Sequence, residues 1–372
     1  MHVVHVVRQF YPSIGGLETV VMELACAQLA HGHDMRVVTL DRLFNAKNDV
    51  PLAANEKLSG IDVIRIPYRG SNRYPIAPSV LNFIKSADIV HVHAIDFFFD
   101  YLAWTKPFHK KPIVASTHGA FFHTSFAARF KRIYFNTITR LSAARYDGIV
   151  AISSADQDLF SKIYPNVICI ENGVNTRRFL GASAKVPKKT IISIGRFSDN
   201  KRLDRLISFI SRLRTRDPDW TLVIAGHRSD LGIDDLTLLA ERAGRLNAVH
   251  VIESPSDDDL RNIMKDCSVI ASSSEYEGFG LTAVEGMAAG LFPLLSDIPS
   301  FRHLVSKTGV GMLVDFSNAD EATVKFLRQW EQITKSYEKV RAAAIQGAQQ
   351  YEWAPVSASY EQLYEKILAA RK

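Results

Sequence analysis

Short apolar runs rich in β-branched residues alternate with stretches of helical period from the first residues onward: His2 to Val7, Met35 to Leu40, Ile61 to Ile66, Ile89 to His93, Ile113 to Ser116, Gly148 to Ile152 and Val167 to Ile170. Near-continuous apolar strands of this kind suit a parallel sheet covered on both faces. Between the first two runs, LETVVMELACAQLAHGH places Leu17, Val20, Val21, Leu24 and Leu29 on one helical stripe, and Gly32 supplies a left-handed stop. Strand, helix and strand make a βαβ unit.

The alternation pauses from Asn172 to Thr190, NGVNTRRFLGASAKVPKKT, a stretch of small, basic and turn-forming residues with no clear period. It restarts with Ile191 to Ile194, Thr221 to Ala225, Ala248 to Ile252, Ser268 to Ser272, Phe292 to Leu295 and Gly311 to Val314. The pattern predicts an α/β chain of two facing, doubly wound Rossmann-like domains with a cleft between them: residues 1–171, a linker over 172–189, and residues 190–372. The last helical segment, Trp353 to Arg371, either closes the second domain or crosses back onto the first.

Length and composition agree with this picture. At about 150 residues per domain, 372 residues make two ordinary domains, and 47% hydrophobic with 23% charged residues excludes a disordered or fibrous chain. The net charge of +6 favours anionic partners, phosphates or an acidic membrane surface, and is too small to indicate nucleic acid. Cys26, Cys169 and Cys267 lie far apart, which excludes a zinc spacing or a disulfide framework and fits a reducing cytoplasm. No run reaches the roughly 18 apolar residues of a membrane span, so the chain is expected to be soluble or peripheral.

Candidate chemistry gathers in the loops after strands. RQFYPSIGGLETV sets Gly15 and Gly16 before a helix, where bare amides and the positive helix end can meet an anion; a tight turn explains them equally well. TIISIGRFSDNKRLDRLI puts Gly195 and Arg196 at a strand end and Lys201 at a helix start, two cations that would stabilise a departing diphosphate more than its ground state. Arg202 and Arg205 read as solvated. In SSSEYEGFGLTAVEGMAAG a Gly-rich loop, Gly278, Phe279 and Gly280, opens a helix that Gly290 ends. Glu277 falls on that loop and Glu285 on the second helical turn. They are not placed as a catalytic dyad, but two carboxylates can grip two hydroxyl-bearing parts of one ligand. A helix-terminal acid and an exposed helix acid are the plainer alternative.

These segments, with Thr117-His118-Gly119 and Asn172-Gly173-Val174, resemble the retaining glycosyltransferases of family 4, which have the GT-B fold. The stretch EGFGLTAVEGMAAGLFPLLSDIPSFR looks most like the α-mannosyltransferases that extend polyprenyl-diphosphate-linked oligosaccharides for bacterial exopolysaccharides of the acetan and xanthan type. The resemblance implies that Arg196 and Lys201 clamp the donor diphosphate, Glu277 binds hydroxyls of the transferred sugar and Glu285 binds the ribose. Amides of Phe279, Gly280 and Leu281 would add contacts, His118 would lie beside the transferred sugar, and Gly16 would approach the diphosphate. Two positions depart from the family pattern: Gly286 replaces the usual alanine and Phe292 the usual proline. Both border the nucleoside, so they bear on the choice of donor.

The expected donor is GDP-mannose and the expected acceptor a lipid-linked oligosaccharide; Glu253 could accept from guanine N1 and N2, whereas uracil offers one such donor. A hexosyltransferase using UDP-glucose or a UDP-N-acetylhexosamine, a non-catalytic sugar-nucleotide-binding subunit and a nucleotide-sugar epimerase are the alternatives. The set Arg196, Lys201, Glu277 and Glu285 argues against a degenerate subunit, and neither glycine loop carries the GxGxxG fingerprint of a dehydrogenase. No cofactor and no metal are expected: Asp257, Asp258 and Asp259 read as a helix start capped by Ser256 or Asp257. His91 and His93 are expected on opposite sides of their strand, unable to chelate jointly. FFHTSFAARFKRIYFNTITRLSAARYDG interleaves aromatics with basic residues and suits either an ordinary amphipathic helix or one lying on anionic lipid at the inner face of the cell membrane. Its Arg129 and Lys131 are candidate contacts to the acceptor diphosphate.

Overall fold

The computed structural model describes residues 1–13, 15–44, 50–72, 74–118 and 132–371. They form two compact units, Met1–Gly173 with Trp353–Lys372, and Val174–Glu352.

The first unit holds β1 (His2–Val6), β2 (Asp34–Leu40), β3 (Asn55–Leu58), β4 (Ile61–Ile66), β5 (Arg69–Ser71), β6 (Tyr74–Ile76), β7 (Ile89–His93), β8 (Ile113–Ser116), β9 (Gly148–Ala151) and β10 (Val167–Cys169). Among the described residues, eight of these make one sheet in the order β10-β9-β8-β7-β1-β2-β4-β3, while β5 and β6 form a separate hairpin. Pairing is parallel throughout the sheet except where β3 runs against β4. Strands β7, β8 and β9 are buried at every position, as uninterrupted apolar runs require. Val90, Val92, Ile113 and Ile149 pack with Phe98, Phe99 and Leu102 of helix Phe97–His109. Each such side chain contributes about 1.5–3 kcal/mol on burial.

The second unit holds β11 (Thr190–Ile194), β12 (Thr221–Gly226), β13 (Val249–Glu253), β14 (Val269–Ser272), β15 (Phe292–Ser296) and β16 (Met312–Val314). Their order is β13-β12-β11-β14-β15-β16, every pair parallel, which is the 3-2-1-4-5-6 arrangement of a dinucleotide-binding sheet. Helices cover both faces: Leu206, Phe209 and Ile210 pack with Trp220, Phe326 and Trp330 on one, and Met287 and Val284 with Phe301 and Tyr351 on the other.

The boundaries differ from the expected ones at two places. Residues 174–189, expected as a linker, lie in the second unit: Thr176–Phe179 forms a 3-10 turn with Phe179 buried, and the amides of Gly181 and Ser183 donate to Ala288 O and Ala289 O at 3.0 and 2.8 Å. A stretch without period can still be tied down through its backbone. The helix Trp353–Ala369, counted with the second domain though its side was open, belongs to the first unit. It buries Tyr360, Leu363, Tyr364 and Ile367, and Gly148 lets it approach: a Cβ there would stand 3.3 Å from Ile367 Cδ1.

Candidate active site

In the second sheet β11 and β14 are neighbours, and the strand order runs outward from them in both directions. Connections leaving two such strands turn to opposite faces, so a ligand crevice opens at their carboxyl ends. The loop after β11 carries Gly195, Arg196 and Lys201; the loop after β14 carries Glu277 and Gly278. Gly195 has φ 148°, and its carbonyl oxygen lies 1.7 Å from where a Cβ on Gly226 would sit, so a side chain at 226 would prevent the two strand ends from meeting.

Lys201 ends the 3-10 turn Asp199–Lys201 and donates from Nζ to Glu277 Oε1 at 2.5 Å; Ser274 Oγ donates to the same oxygen at 2.7 Å. The two loops are joined along their length. Ser273 Oγ donates to the carbonyls of Lys201 and Arg202 at 2.8 and 2.9 Å, Asn200 Nδ2 to Tyr276 O at 2.7 Å, and Glu275 N to Asn200 O at 3.0 Å. The half-buried Lys201–Glu277 pair is therefore set by backbone rather than by the two flexible side chains alone. An ammonium has three donors, so Lys201 can keep Glu277 and still meet an oxyanion. Arg196 is exposed at the same strand end and forms no ion pair among the described residues. Arg202 and Arg205 instead pair with Glu275, with Arg202 also on Asp204.

Gly280, at φ 88°, opens helix Leu281–Ala289 with no side-chain cap and no acid in the first turn. A Cβ on Gly280 would stand 2.6 Å from Phe301 Cε1, so the left-handed turn and the close approach both select glycine. The uncapped amide end beside Phe279, Gly280 and Leu281 carries the partial positive charge that suits phosphate. Glu285, on the second turn, accepts from Arg178 Nη1 at 2.9 Å, and Arg178 also pairs with Asp257. The Asp257 hydrogen bond, followed by Glu285, raises the guanidinium above its usual range, and Arg178 holds Asp257 below the usual carboxylate range. Arg178 is not among the candidates the sequence offers, since it lies in an aperiodic segment; the pair Arg177-Arg178 close after Asn172-Gly173-Val174 is the signal that points to it. Ser256 caps helix Asp257–Met264 through Asp259 N, as expected of that acidic run, but Asp257 has the further task of holding Arg178. Glu253 ends β13 exposed, in register with Gly226 on the same carboxyl edge, and is followed by Ser254 at φ 54°.

In the first unit Gly15 is the extended N-cap of helix Gly16–Ala30, and a Cβ on it would stand 2.4 Å from Glu18 Oε2. His118 follows β8 at φ 48°, and its Nε2 lies 2.9 Å from His93 Nδ1. Desolvation pulls its pKa down to about 3. The expectation for His91 and His93 is corrected: residues two apart on a strand share a face, and the two buried rings are 4.1 Å apart. With His5 they bring ring nitrogens within 4.8 Å of one another, but every ring nitrogen of the three already has a hydrogen-bond partner. Gly119, Arg129 and Lys131 lie outside the described residues.

Two Rossmann-like α/β domains, one with a cation–carboxylate pair and an uncapped helix start at its switch point, define the GT-B class of glycosyltransferases. Residues 14–178 match Glycosyltransferase Family 4 and residues 178–347 match glycosyl transferases group 1. The chain belongs to family 4. It is 43% identical over 371 residues, 99% of this chain and 97% of the other, to the GDP-mannose:cellobiosyl-diphosphopolyprenol alpha-mannosyltransferase of Xanthomonas campestris. It is 40% identical to the protein of that name from Komagataeibacter xylinus, over 99% of this chain and 94% of the other. Sucrose-phosphate synthase from Thermosynechococcus elongatus shares the fold, with TM-score 0.75 at 16% identity over 99% of both chains.

Proposed function

We propose that the protein transfers mannose from GDP-mannose, with retention of configuration, to cellobiosyl-diphosphopolyprenol. The observation that carries this is the 43% identity, spread over 99% of the chain, to a relative named for that reaction. In the reaction the bond from mannose C1 to the β-phosphate oxygen breaks, and an acceptor hydroxyl oxygen bonds to C1 from the same face. The hydroxyl proton passes to the departing phosphate, so no protein nucleophile is needed. Charge grows on GDP as it leaves, and Lys201 and Arg196 stabilise it. Glu277 accepts from mannose hydroxyls, Glu285 from the ribose diol, and Glu253 from guanine. The amides at Phe279, Gly280 and Leu281 and at the Gly15-Gly16 turn meet phosphate oxygens, and His118 touches the transferred sugar. The test supplies labelled GDP-mannose and cellobiosyl-diphosphopolyprenol to the purified protein. Label in the lipid fraction, released by α-mannosidase, is the expected result; transfer from UDP-glucose instead would overturn the donor, and transfer to free cellobiose alone would overturn the lipid acceptor.

The acceptor's polyprenyl chain puts the reaction at a membrane, and the reading extends to peripheral binding at its anionic inner face. No helix among the described residues is long and apolar enough to cross a membrane. Trp104 (47% exposed), Phe108 (82%), Ile133 (64%) and Leu141 (55%) are outward-facing apolar side chains in a neighbourhood with exposed Arg132, Arg140 and Arg145. The Arg145 guanidinium lies 5.9 Å from the Trp104 ring centre, and Trp104 Nε1 donates to Ser142 Oγ at 3.1 Å. Apolar side chains interleaved with cations match the interface of an anionic bilayer.

A further inference from the structure

Behind His118 a chain of buried groups runs through the first unit. His118 Nε2 lies 2.9 Å from His93 Nδ1, His93 Nε2 lies 2.8 Å from His5 Nδ1, and His5 Nε2 lies 2.9 Å from Gln28 Oε1. Gln28 Nε2 donates to Tyr364 OH at 3.4 Å, and Tyr364 OH lies 2.7 Å from His91 Nδ1. His5, Gln28, His91, His93 and Tyr364 are essentially without solvent exposure.

The proton positions in this chain follow from one group. An amide oxygen only accepts, so His5 must carry its proton on Nε2. A neutral imidazole has a single N–H, which makes His5 Nδ1 an acceptor and His93 Nε2 its donor. The same step repeated makes His93 Nδ1 an acceptor and His118 Nε2 its donor. His118 Nδ1 is then a lone pair. Burial supports the neutral rings this requires, lowering His5 to about 4 and His93 well below its usual value. Turning the Gln28 amide over would reverse every bond and move the His118 proton to Nδ1.

We propose that Gln28 is a positioning residue that acts through His5 and His93 to hold His118 as its Nε2–H tautomer, so that Nδ1 meets a sugar hydroxyl as hydrogen-bond acceptor. The substrate half of this inference rests on the reading that His118 touches the transferred sugar. The left-handed backbone of His118, unusual for a residue with a side chain, fits a ring whose placement is imposed by its surroundings. Tyr364, from the C-terminal helix, extends the control to a segment far along the sequence: its hydroxyl accepts from Gln28 Nε2, which fixes the Gln28 amide with its oxygen on His5.

The test is a long-range proton–nitrogen correlation spectrum of the full-length protein labelled in histidine, with His118 assigned by its loss in His118→Gln. The expected spectrum shows His118 protonated on Nε2; Gln28→Met should give a mixture of tautomers. That variant should lose about tenfold or more in kcat, with donor KM within about twofold of the parent. Tyr364→Phe, a smaller change, should shift the tautomer in the same direction if Gln28→Met does not fold. A His118 protonated on Nδ1 in the parent, or a tautomer untouched by either variant, would overturn the chain. Full transfer by His118→Ala would overturn the substrate contact separately, since the spectra do not depend on it.

Discussion

Lys201 and Glu277 show what a single residue could and could not reveal in advance. Their types and their positions after apolar strands marked them as donor-site candidates, yet nothing in the linear chain says that they touch at 2.5 Å. Because charge on the diphosphate is greatest as the bond breaks, Lys201→Ala is expected to lower kcat by about 10²- to 10³-fold while leaving GDP affinity close to the parent's. Single-turnover rates and titration calorimetry separate the two effects, and equal losses in both would assign Lys201 to ground-state binding. Arg178 was not legible because an arginine outside any periodic segment has no signal until its carboxylates are placed beside it. The two-residue repeat of a strand, by contrast, does put His91 and His93 on one face.

At the scale of elements, strands with an apolar run were readable, the sheet edges β10, β13 and β16 among them, and the polar edge strand β3 was not. Burial on both faces forces continuous apolar runs on β7, β8, β9 and β14. By contrast β3, Asn55–Leu58, is mostly exposed and polar, and it exists because β4 offers it an unpaired edge. The hairpin of β5 and β6, exposed at five of its six positions, likewise carries no apolar run. The helix Leu281–Ala289 adds a constraint the family pattern would not suggest. A Cβ on Gly286 would stand 2.8 Å from Ile270 Cβ on β14, so this helix lies closer to its sheet than an alanine permits. Gly286→Ala, although it restores the family's usual residue, is expected to cost about 1–3 kcal/mol by overpacking, read as a lower urea midpoint. An unchanged midpoint would mean that the helix can step back from β14 at no cost.

The whole molecule titrates as its buried groups dictate. His5 and His118 have pKa values lowered to about 4 and about 3, and burial also lowers His91 and His93 well below the usual imidazole range. Below about pH 6.5 the unfolded chain takes up protons that these rings refuse, so folding loses stability as the pH falls. Asp96, raised to about 6 by burial, acts in the opposite sense and adds stability as the pH drops through that value, and Asp100, also raised by burial, acts in the same direction. The melting temperature of the protein should therefore decline from pH 7 to 6 and go on falling below pH 6, because four rings outweigh two carboxyls; a rise between pH 7 and 6 would contradict neutral, buried histidines. Attachment to membrane belongs to the same scale. Phe108→Glu is expected to reduce cosedimentation with phosphatidylglycerol vesicles while leaving GDP binding intact, and equal binding by the variant would remove that surface from the proposal. The α/β class, the two sheets, the glycine turns and the candidate acids and cations of the donor site were determined by the sequence itself, because periodic burial and loop chemistry are local properties that each segment carries with it. Which strand ends meet, that Arg178 reaches Glu285, that the last helix returns to the first unit and that Gln28 stands behind His118 were decided only in three dimensions. Those contacts join residues far apart in the chain, and their energies depend on separations that no local pattern encodes.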